Sequence, residues 1–294
     1  MKRFDTTVRS LRPVAEGYYE LRFTWPISAG SQADDAPAPG RFLTVRAGGR
    51  YDPALRRPFA FSDYTKTAAP HAPASVSDEP APDCATANGE ANGEANGEAS
   101  FIFQLRGRGT AYLAELKAGD ALDLLGPLGK GFSKPARGMR PVLVAGGIGL
   151  GPMLYLARAL AADAVAGLCE APVFVIGLRN AAFVPDVDLP SGTVICTDDG
   201  SAGFKGTAVD YLGGFDPGLP PAFYACGPTP MMAAVDRLAQ SRRAPYEAAT
   251  EQWMACGVGA CAGCAVRLKS GAFARACVDG PVLDGSLVDW EAGR

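Results

Sequence analysis

The sequence predicts an α+β multidomain protein: an N-terminal antiparallel β-barrel, a doubly wound α/β domain and a cysteine-rich C-terminal module. Strand-like segments separated by turns dominate the first part of the chain, short apolar runs alternate with helical patterns in the middle, and four of the eight cysteines fall near the end. A length of 294 residues suits two domains and a small appendage. We expect domains at 1–137, 138–244 and 245–294.

The composition excludes several classes of protein. With 48% apolar residues, 20% charged residues and a net charge of −3, the chain is neither disordered nor basic enough for a general nucleic-acid binder. It contains no apolar run of membrane-spanning length and no apolar signal core behind Lys2 and Arg3. We therefore expect a cytoplasmic protein without membrane contact. Because His71 is the single histidine, any site that needs two histidines is excluded.

Alternating apolar and polar residues predict the strands of the barrel. The pattern extends over residues 5–24, resumes at 41–45 after a loop at 28–40 rich in alanine and proline, and returns at 101–105 and 122–125. Such short strands, separated by turns, favour a small antiparallel barrel.

An insertion of about residues 65–100 interrupts the barrel. It consists mainly of alanine, proline, serine and aspartate, and it contains three copies of Ala-Asn-Gly-Glu at 87–90, 91–94 and 95–98. A segment of this composition buries too little apolar area to offset its ordering entropy. We expect it to be a mobile surface insertion.

Four short apolar runs predict the α/β domain. They lie at 141–145, 173–176, 193–196 and 222–225, and helical patterns follow the first and the last of them. Unbroken apolar runs are typical of buried parallel strands. Their alternation with helices indicates a doubly wound sheet.

The four C-terminal cysteines predict a metal cofactor. Their spacing is Cys256-x4-Cys261-x2-Cys264-x12-Cys277, and the first gaps match those of plant-type [2Fe-2S] ferredoxins. A zinc site with four thiolates is the alternative, because a C-x2-C pair alone would serve as half of a zinc knuckle. The x4 gap and the absence of a second C-x2-C pair favour the cluster.

A glycine-rich turn follows the first strand of the α/β domain and predicts a nucleotide site. Glycines let the backbone approach a ligand closely, and the N-terminus of the following helix offers free N–H groups to a pyrophosphate. The alternative is a tight turn without a ligand. The candidate residues are Gly146, Gly147, Gly149, Gly151 and Pro152.

A second turn, Cys226-Gly227-Pro228, ends a later strand at the sheet edge where open α/β sheets bind ligands. Cys226 taken alone would be an ordinary buried residue. The Gly-Pro that follows makes the turn a candidate.

The barrel carries a third motif, Arg57-Pro58-Phe59-Ala60, with Gly109-Thr110 further along the chain. An arginine beside an aromatic ring can pair with a phosphate while the ring flanks a planar cofactor. A Gly-Thr turn supplies further N–H and hydroxyl donors. Arg56 or Arg57 could equally be a solvated charge.

Together these motifs resemble the ferredoxin–NADP reductase superfamily, in which a flavin-binding barrel precedes a nicotinamide-binding α/β domain. Within it, the cysteine arrangement resembles the electron-transfer subunits of heteromeric, NAD-dependent dihydroorotate dehydrogenases. The similarity spans the chain except 28–40 and 65–100, and its further pieces are Gly126-Pro127-Leu128-Gly129, Thr197-Asp198-Asp199-Gly200 and Cys277-Val278-Asp279-Gly280-Pro281-Val282.

The resemblance implies FAD, NAD and a [2Fe-2S] cluster as cofactors. It implies that Arg57, Pro58, Phe59 and Ala60 lie beside the isoalloxazine and ribityl chain, and that Ile102, Phe103, Gln104, Gly109 and Thr110 line the adenine-side and phosphate contacts. This chain departs from the family at Ala60, where a serine or threonine hydroxyl is usual near the flavin. Ser62 would replace that hydroxyl only if the local register shifts.

The combination predicts an electron-transfer subunit in pyrimidine biosynthesis. Nicotinamides exchange electrons in pairs and clusters exchange them singly, whereas a flavin can do both. No catalytic residue for a carbon substrate is evident, so the resemblance places that reaction on an FMN-containing dihydroorotate dehydrogenase catalytic subunit, in a heterotetramer.

One alternative is a relative that exchanges electrons between NADP(H) and ferredoxin or a sulfur-reducing partner. Another is a zinc-stabilised binding protein. Arg179 leaves the choice between NAD and NADP open, and the resemblance favours NAD.

Overall fold

A computed structural model of the protein describes residues 2–26, 36–48, 54–66 and 96–292. These residues form two seven-stranded sheets, a two-stranded hairpin and four α-helices. The predicted combination of an antiparallel barrel, an α/β domain and a cysteine-rich C-terminal module is confirmed.

The first sheet is antiparallel, and its strands follow the order β4-β3-β7-β1-β2-β6-β5. Because β4 and β5 are neighbours in the chain but lie at opposite ends of this order, the sheet curls into a barrel. One helix, α1, lies between β6 and β7. The elements are β1 Lys2–Ala15, β2 Tyr18–Pro26, β3 Phe42–Val45, β4 Arg57–Ala60, β5 Asp63–Lys66, β6 Asn96–Gln104, α1 Arg108–Ala114 and β7 Ala121–Leu128.

Aromatic and branched side chains that alternate along the strands fill the barrel. Leu21 and Phe23 on β2 and Phe101 on β6 are fully buried, as the period of two predicts. Phe59 of β4 stacks on Phe101, with ring centroids 4.6 Å apart and planes at 12°.

The strands around the predicted insertion extend into it from both sides. β5 continues to Lys66 and β6 begins at Asn96, where antiparallel pairing with β2 and β5 satisfies the backbone. Ala99 and Ser100 are each 1% exposed, so this end of the segment does bury surface. The rest of the insertion, 67–95, lies outside the described residues, as does 28–35 of the predicted loop at 28–40.

The second sheet follows the order β11-β10-β9-β8-β12-β13-β16. Its strand pairs are parallel except for the last, in which β16 is antiparallel to β13. The elements are β8 Arg140–Gly146, α2 Leu150–Val165, β9 Val173–Leu178, β10 Val194–Thr197, β11 Phe204–Lys205, α3 Ala208–Gly214, β12 Pro221–Cys226, α4 Thr229–Ser241, β13 Tyr246–Ala249, then β14 Ala265–Arg267, β15 Phe273–Arg275 and β16 Val282–Asp284.

Helices cover both faces of the second sheet. Leu143 and Ala145 of β8 pack with α2, whereas Val142 and Val144 pack with α3 and α4 on the opposite face. A strand buried on both sides explains the unbroken apolar run in the sequence. The segment Gly147–Val165 is long and apolar enough to cross a membrane, but 56% of its apolar window is buried inside the protein. It packs as a core helix of the α/β domain.

The C-terminal module contacts both larger parts of the protein. Its hairpin β14–β15 and the segment around the cysteines pack on Phe42 and Leu128 of the barrel. Its strand β16 joins the second sheet. The barrel and α2 are also joined directly, because the Tyr155 hydroxyl donates to Pro37 O at 3.1 Å and Arg158 pairs with Asp63 at 2.9 Å.

Candidate cofactor sites

The two turns predicted to bind a nucleotide meet at one edge of the second sheet. Strands β8 and β12 are adjacent and parallel, and Cys226 lies opposite Ala145 in their register. A Cβ atom on Gly149 would overlap the carbonyl oxygen of Cys226, and one on Gly146 would lie 2.7 Å from the Met231 sulfur. The two turns therefore pack so closely that only glycine fits between them.

The barrel lies against the same turn. A Cβ atom on Gly151 would lie 3.5 Å from Cβ of Ser62 and 3.7 Å from Cβ of Ile102. A Cβ atom on Gly147, which has φ +53°, would lie 3.7 Å from the hydroxyl of Tyr18. The glycine-rich turn and the N-terminus of α2 are thus positioned between the carboxyl ends of the parallel strands and the barrel.

Two neighbouring residues, Tyr18 and Glu251, were missed by the sequence reasoning. Burial raises the pKa of Tyr18; the charges of Arg106 and Arg179 lower it by less, and that of Glu251 raises it slightly. Burial, and after it the Glu251 carboxylate, raises the pKa of Cys226 to about 12. Cys226 is therefore a neutral thiol near pH 7. No motif marks Tyr18, which comes from β2 and reaches this site only through the fold.

The structure distinguishes the two adjacent arginines of the barrel. Arg56 donates to the carboxylate of Asp123 on β7, which also accepts from Arg3 and Arg46 at 3.1 and 3.0 Å. Burial alone would raise the pKa of Asp123, but the hydrogen bonds from these arginines outweigh it and lower the pKa to about 2. Arg56 thus has a structural partner.

Arg57 lies instead beside the second predicted flavin segment. A Cβ atom on Gly109 would be 3.3 Å from its Nε, and one of its terminal nitrogens donates to Leu55 O at 3.0 Å. The structure therefore brings Arg57 and the start of α1 together across the barrel. This arrangement could bind an anionic group.

Other predicted barrel residues make contacts of their own. The Thr110 hydroxyl donates to Gly107 O at 3.0 Å and accepts from the Arg106 N–H, so its hydrogen is already used. Gln104 accepts from Arg106 Nε at 2.6 Å. Phe103 is 1% exposed and stacks on Tyr19 in the barrel, which leaves only its backbone available to a ligand.

The hydroxyl of Ser62 already has a hydrogen-bond partner. β4 ends at Ala60, and the buried Ser62 hydroxyl beyond it is 2.8 Å from that of Ser100.

The four C-terminal cysteines lie close enough to alter one another's pKa. Backbone N–H groups, first that of Val258, and the Cys261 side chain lower the pKa of Cys256 to about 6. Burial and then the Cys264 side chain raise the pKa of Cys277 to about 11. Cys256 also raises the pKa of Cys277, so the four thiols influence one another as a single group.

The donor set suits a two-iron cluster. All four ligands are thiols, and their spacing is that of plant-type ferredoxins. In a [2Fe-2S] cluster each iron takes two thiolates, so the four cysteines supply the full ligand set.

Backbone donors surround the cysteine sulfurs, as a cluster requires. The N–H of Val258 donates to Cys256 Sγ at 3.4 Å, and the N–H of Gly259 donates to Cys277 Sγ at 3.2 Å. Such donors stabilise thiolates and cluster sulfurs. Gly257 and Gly259 have φ of +68° and +86°, which lets the backbone turn these groups inward. The residues present fit the cluster.

A comparison with protein families and curated proteins identifies similar sequences. Residues 251–289 match the family described as the iron-sulfur cluster binding domain of dihydroorotate dehydrogenase B. The "dihydroorotate dehydrogenase B (NAD(+)), electron transfer subunit" of Desulforamulus reducens is 32% identical, over 99% of this chain and 99% of that protein. The protein of the same name from Bacillus caldolyticus is 33% identical, over 94% of this chain and 95% of its own length.

Solved structures share the fold. The NADH-dependent reduced ferredoxin-NADP oxidoreductase, studied for flavin-based electron bifurcation, has a TM-score of 0.71 and 25% identity, with 97% of this chain and 90% of that chain covered. Phthalate dioxygenase reductase, described as a modular structure for electron transfer from pyridine nucleotides to [2Fe-2S], has a TM-score of 0.54 and 18% identity, with 97% and 77% covered.

Proposed function

Because the chain belongs to the family of dihydroorotate dehydrogenase B (NAD(+)) electron transfer subunits, we propose that it carries electrons from the catalytic subunit of such a dehydrogenase to NAD+. It is an oxidoreductase component that uses FAD, NAD and a [2Fe-2S] cluster and pairs with that catalytic subunit. When bound, FAD exchanges electrons in pairs with the nicotinamide and singly with the cluster.

The observation that carries this proposal is the position of the cysteine module against the barrel. Phe42 and Thr44 of β3 lie next to the module, and β3 pairs with β4, which carries Arg57 to Ala60. The cluster segment is therefore one strand away from the flavin motif. Electron transfer between two cofactors needs such proximity.

For the cluster, Cys256 and Cys261 would bind one iron, and Cys264 and Cys277 would bind the other. Cys261 is exposed, whereas Cys264 and Cys277 are buried. The Cys261 side is thus accessible to a partner protein, and the other pair faces the barrel. This asymmetry suits a relay between an outside donor and an inside acceptor.

For NAD, the N–H groups at the start of α2 would bind the pyrophosphate, with a partial positive charge from the helix. The turn at 226–228 would close the cleft on one side and Tyr18 on the other. The binding residues are Gly146, Gly147, Gly149, Gly151, Pro152, Cys226, Gly227 and Pro228.

For FAD, Arg57 would pair with a phosphate beside Gly109, because a guanidinium and free backbone N–H groups suit an anion. Pro58, Phe59 and Ala60 would flank the isoalloxazine. The remaining contacts would come from Ile102, the backbone of Phe103, Gln104 and Thr110.

We extend the proposal to the organisation of the chain. The domains are 1–137, 138–244 and 245–294, and the third contributes β16 to the sheet of the second. The FMN-containing catalytic subunit binds in a heterotetramer, in the cytoplasm, where reducing conditions keep the cysteines as free thiols.

A coupled assay tests the function. The anaerobically purified chain should contain iron, sulfide and FAD, and together with an FMN-containing catalytic subunit it should reduce NAD+ when dihydroorotate is added. Each protein alone serves as the control. A colourless zinc protein, or NAD+ reduction that dihydroorotate does not stimulate, would refute the proposal.

One alternative has a specific observation behind it. The similarity to the NADH-dependent reduced ferredoxin-NADP oxidoreductase favours exchange of electrons between NADP(H) and ferredoxin. The same preparation distinguishes the two, since that activity would require reduced ferredoxin and would not respond to dihydroorotate.

A further inference from the structure

Thr44 lies between the barrel and the segment that carries the cysteines. It belongs to β3, whose four residues are all buried. Leu43 and Val45 point into the barrel core, so the alternation along a strand directs Phe42 and Thr44 to the opposite face. On that face a Cβ atom added to Gly257, the residue after Cys256, would lie 3.2 Å from Cγ2 of Thr44.

The hydroxyl of Thr44 is buried without a hydrogen-bond partner. The residue is 3% exposed, and its Oγ1 bonds to no group in the described part of the chain. Other buried hydroxyls are satisfied: Thr197 donates to Ala202 O at 2.7 Å and Thr250 to Pro281 O at 3.0 Å. An unpaired buried hydroxyl is costly, so it indicates a partner that binds later.

The surroundings indicate which partner this is. The layer between β3 and the module is rich in apolar side chains and sulfur, and its buried members include Phe42, Leu128, Cys264, Ala276 and Cys277. Backbone N–H groups already donate to Cys256 and Cys277 from the module side. On the barrel side Thr44 offers a buried hydroxyl without a partner, and sulfur is the acceptor that a bound cluster adds.

We propose that the Thr44 hydroxyl donates a hydrogen bond to a sulfur of the [2Fe-2S] cluster bound by the four cysteines, and so acts as a positioning residue that raises the reduction potential of the cluster. This inference rests on the proposed function, because it requires the cluster. A donor to sulfur stabilises the more negative, reduced form. A residue of the flavin-binding barrel thereby tunes the reduction potential of the cluster that supplies electrons to the flavin.

The experiment compares three variants of the holoprotein. Thr44→Val removes the hydroxyl at almost constant shape, and Thr44→Ser keeps it. Thr250→Val is the matched control, because it removes a buried hydroxyl whose partner is a backbone carbonyl. Midpoint potentials come from redox titrations followed by the electron paramagnetic resonance of the reduced cluster, and Fe–S stretching bands come from resonance Raman spectra in H2O and D2O.

We expect Thr44→Val to lower the midpoint potential of the cluster at unchanged iron and sulfide content, and to abolish a D2O-sensitive shift in the Fe–S bands. Thr44→Ser should retain both properties, and Thr250→Val should leave the potential unchanged. In the cluster-free protein, Thr44→Val should unfold at the same or a higher temperature than the wild type, whereas Thr250→Val should unfold at a lower one.

Several outcomes would overturn the inference. A cluster potential and Raman spectrum unaffected by Thr44→Val would do so, as would a shift confined to the flavin potential or a cluster-free Thr44→Val protein less stable than the wild type. If Thr44→Val fails to fold, Thr44→Ala provides the same comparison. Absence of any cluster in the wild type would instead refute the proposed function.

Discussion

Lys269 of the C-terminal module donates from Nζ to Oδ2 of Asp236 on α4 at 2.9 Å. Asp236 is 5% exposed, and the same oxygen accepts from Gln240 at 2.8 Å. The module is therefore joined to the α/β domain by an ion pair whose carboxylate is buried and whose lysine is 45% exposed.

Lys269→Met should destabilise the protein by about 1–2 kcal/mol, because it leaves the buried Asp236 carboxylate without its cation, while the 45% exposure of Lys269 weakens the pair through solvent screening. Urea unfolding at pH 7 measures this. Lys117→Met, which removes an exposed lysine with no ion pair within the described residues, is the control and should change stability by less than about 0.5 kcal/mol. Equal effects of the two variants would contradict the interpretation.

Gly149→Ala should reduce NADH affinity at least about tenfold and destabilise the protein by about 1–3 kcal/mol, as overpacking does. The reason is that its Cβ would overlap the Cys226 carbonyl and separate the two turns. Isothermal titration with NADH and thermal unfolding test this. Gly213→Ala is the control, since nothing lies within 4 Å of its Cβ position. Unchanged NADH binding in Gly149→Ala would place the nucleotide elsewhere.

The free energy of unfolding should fall at acidic pH because Asp123 becomes protonated and loses its ion pairs. Its folded-state pKa is about 2, below the ordinary 3.8, so its contribution is complete above about pH 4 and is lost as the pH falls towards 2. We expect about 1–2 kcal/mol, reduced by screening because Arg3 is 64% exposed. Denaturant unfolding from pH 7 to 2 should show a shallower loss for Asp123→Asn than for the wild type or Glu115→Gln. Parallel curves for all three proteins would be the contrary result.

Arg57→Gln should weaken FAD binding about 10- to 100-fold, the amount expected for a lost charge-assisted hydrogen bond of about 1.5–3 kcal/mol. Flavin fluorescence during reconstitution of the flavin-free protein measures it. Arg56→Gln is the matched control at the next position, and it should lower stability through Asp123 while FAD affinity stays near that of the wild type. If Arg56→Gln weakened FAD binding more than Arg57→Gln does, Arg56 rather than Arg57 would be the phosphate-binding residue.

Cys261→Ser should lose the cluster and keep FAD, since the cysteine belongs to the module and the flavin motif to the barrel. Iron, sulfide and flavin analysis of the anaerobic protein tests this. Cys169→Ser, which changes a cysteine bonded to Leu160 O at 3.5 Å, should retain all three. Loss of flavin together with iron would show that the two sites depend on each other.

Local patterns were sufficient to predict the main elements. The apolar runs at 141–145 and 222–225 became β8 and β12, and the cysteine spacing identified the cluster module, because periodicity and ligand spacing act over few residues. β13 and β16 were not predicted. Each is short, and each forms through a partner far along the chain.

Side-chain roles that depend on distant partners could not be predicted. Arg56 and Arg57 are adjacent and carry the same side chain. They differ in their partners, because Arg56 donates to Asp123 on β7. Thr44 and Tyr18 carry no motif. Their positions beside Gly257 and Gly147 result from strand register and domain packing.

Strand β16 is the edge strand at one end of the α/β sheet, where it pairs with β13. An uncovered margin of this kind invites pairing with other chains. A truncated protein that ends before Cys256 would lack β16 and expose β13. Such a fragment would therefore self-associate instead of forming an independent nucleotide-binding domain. Loss of the metal segment and loss of solubility would then occur together.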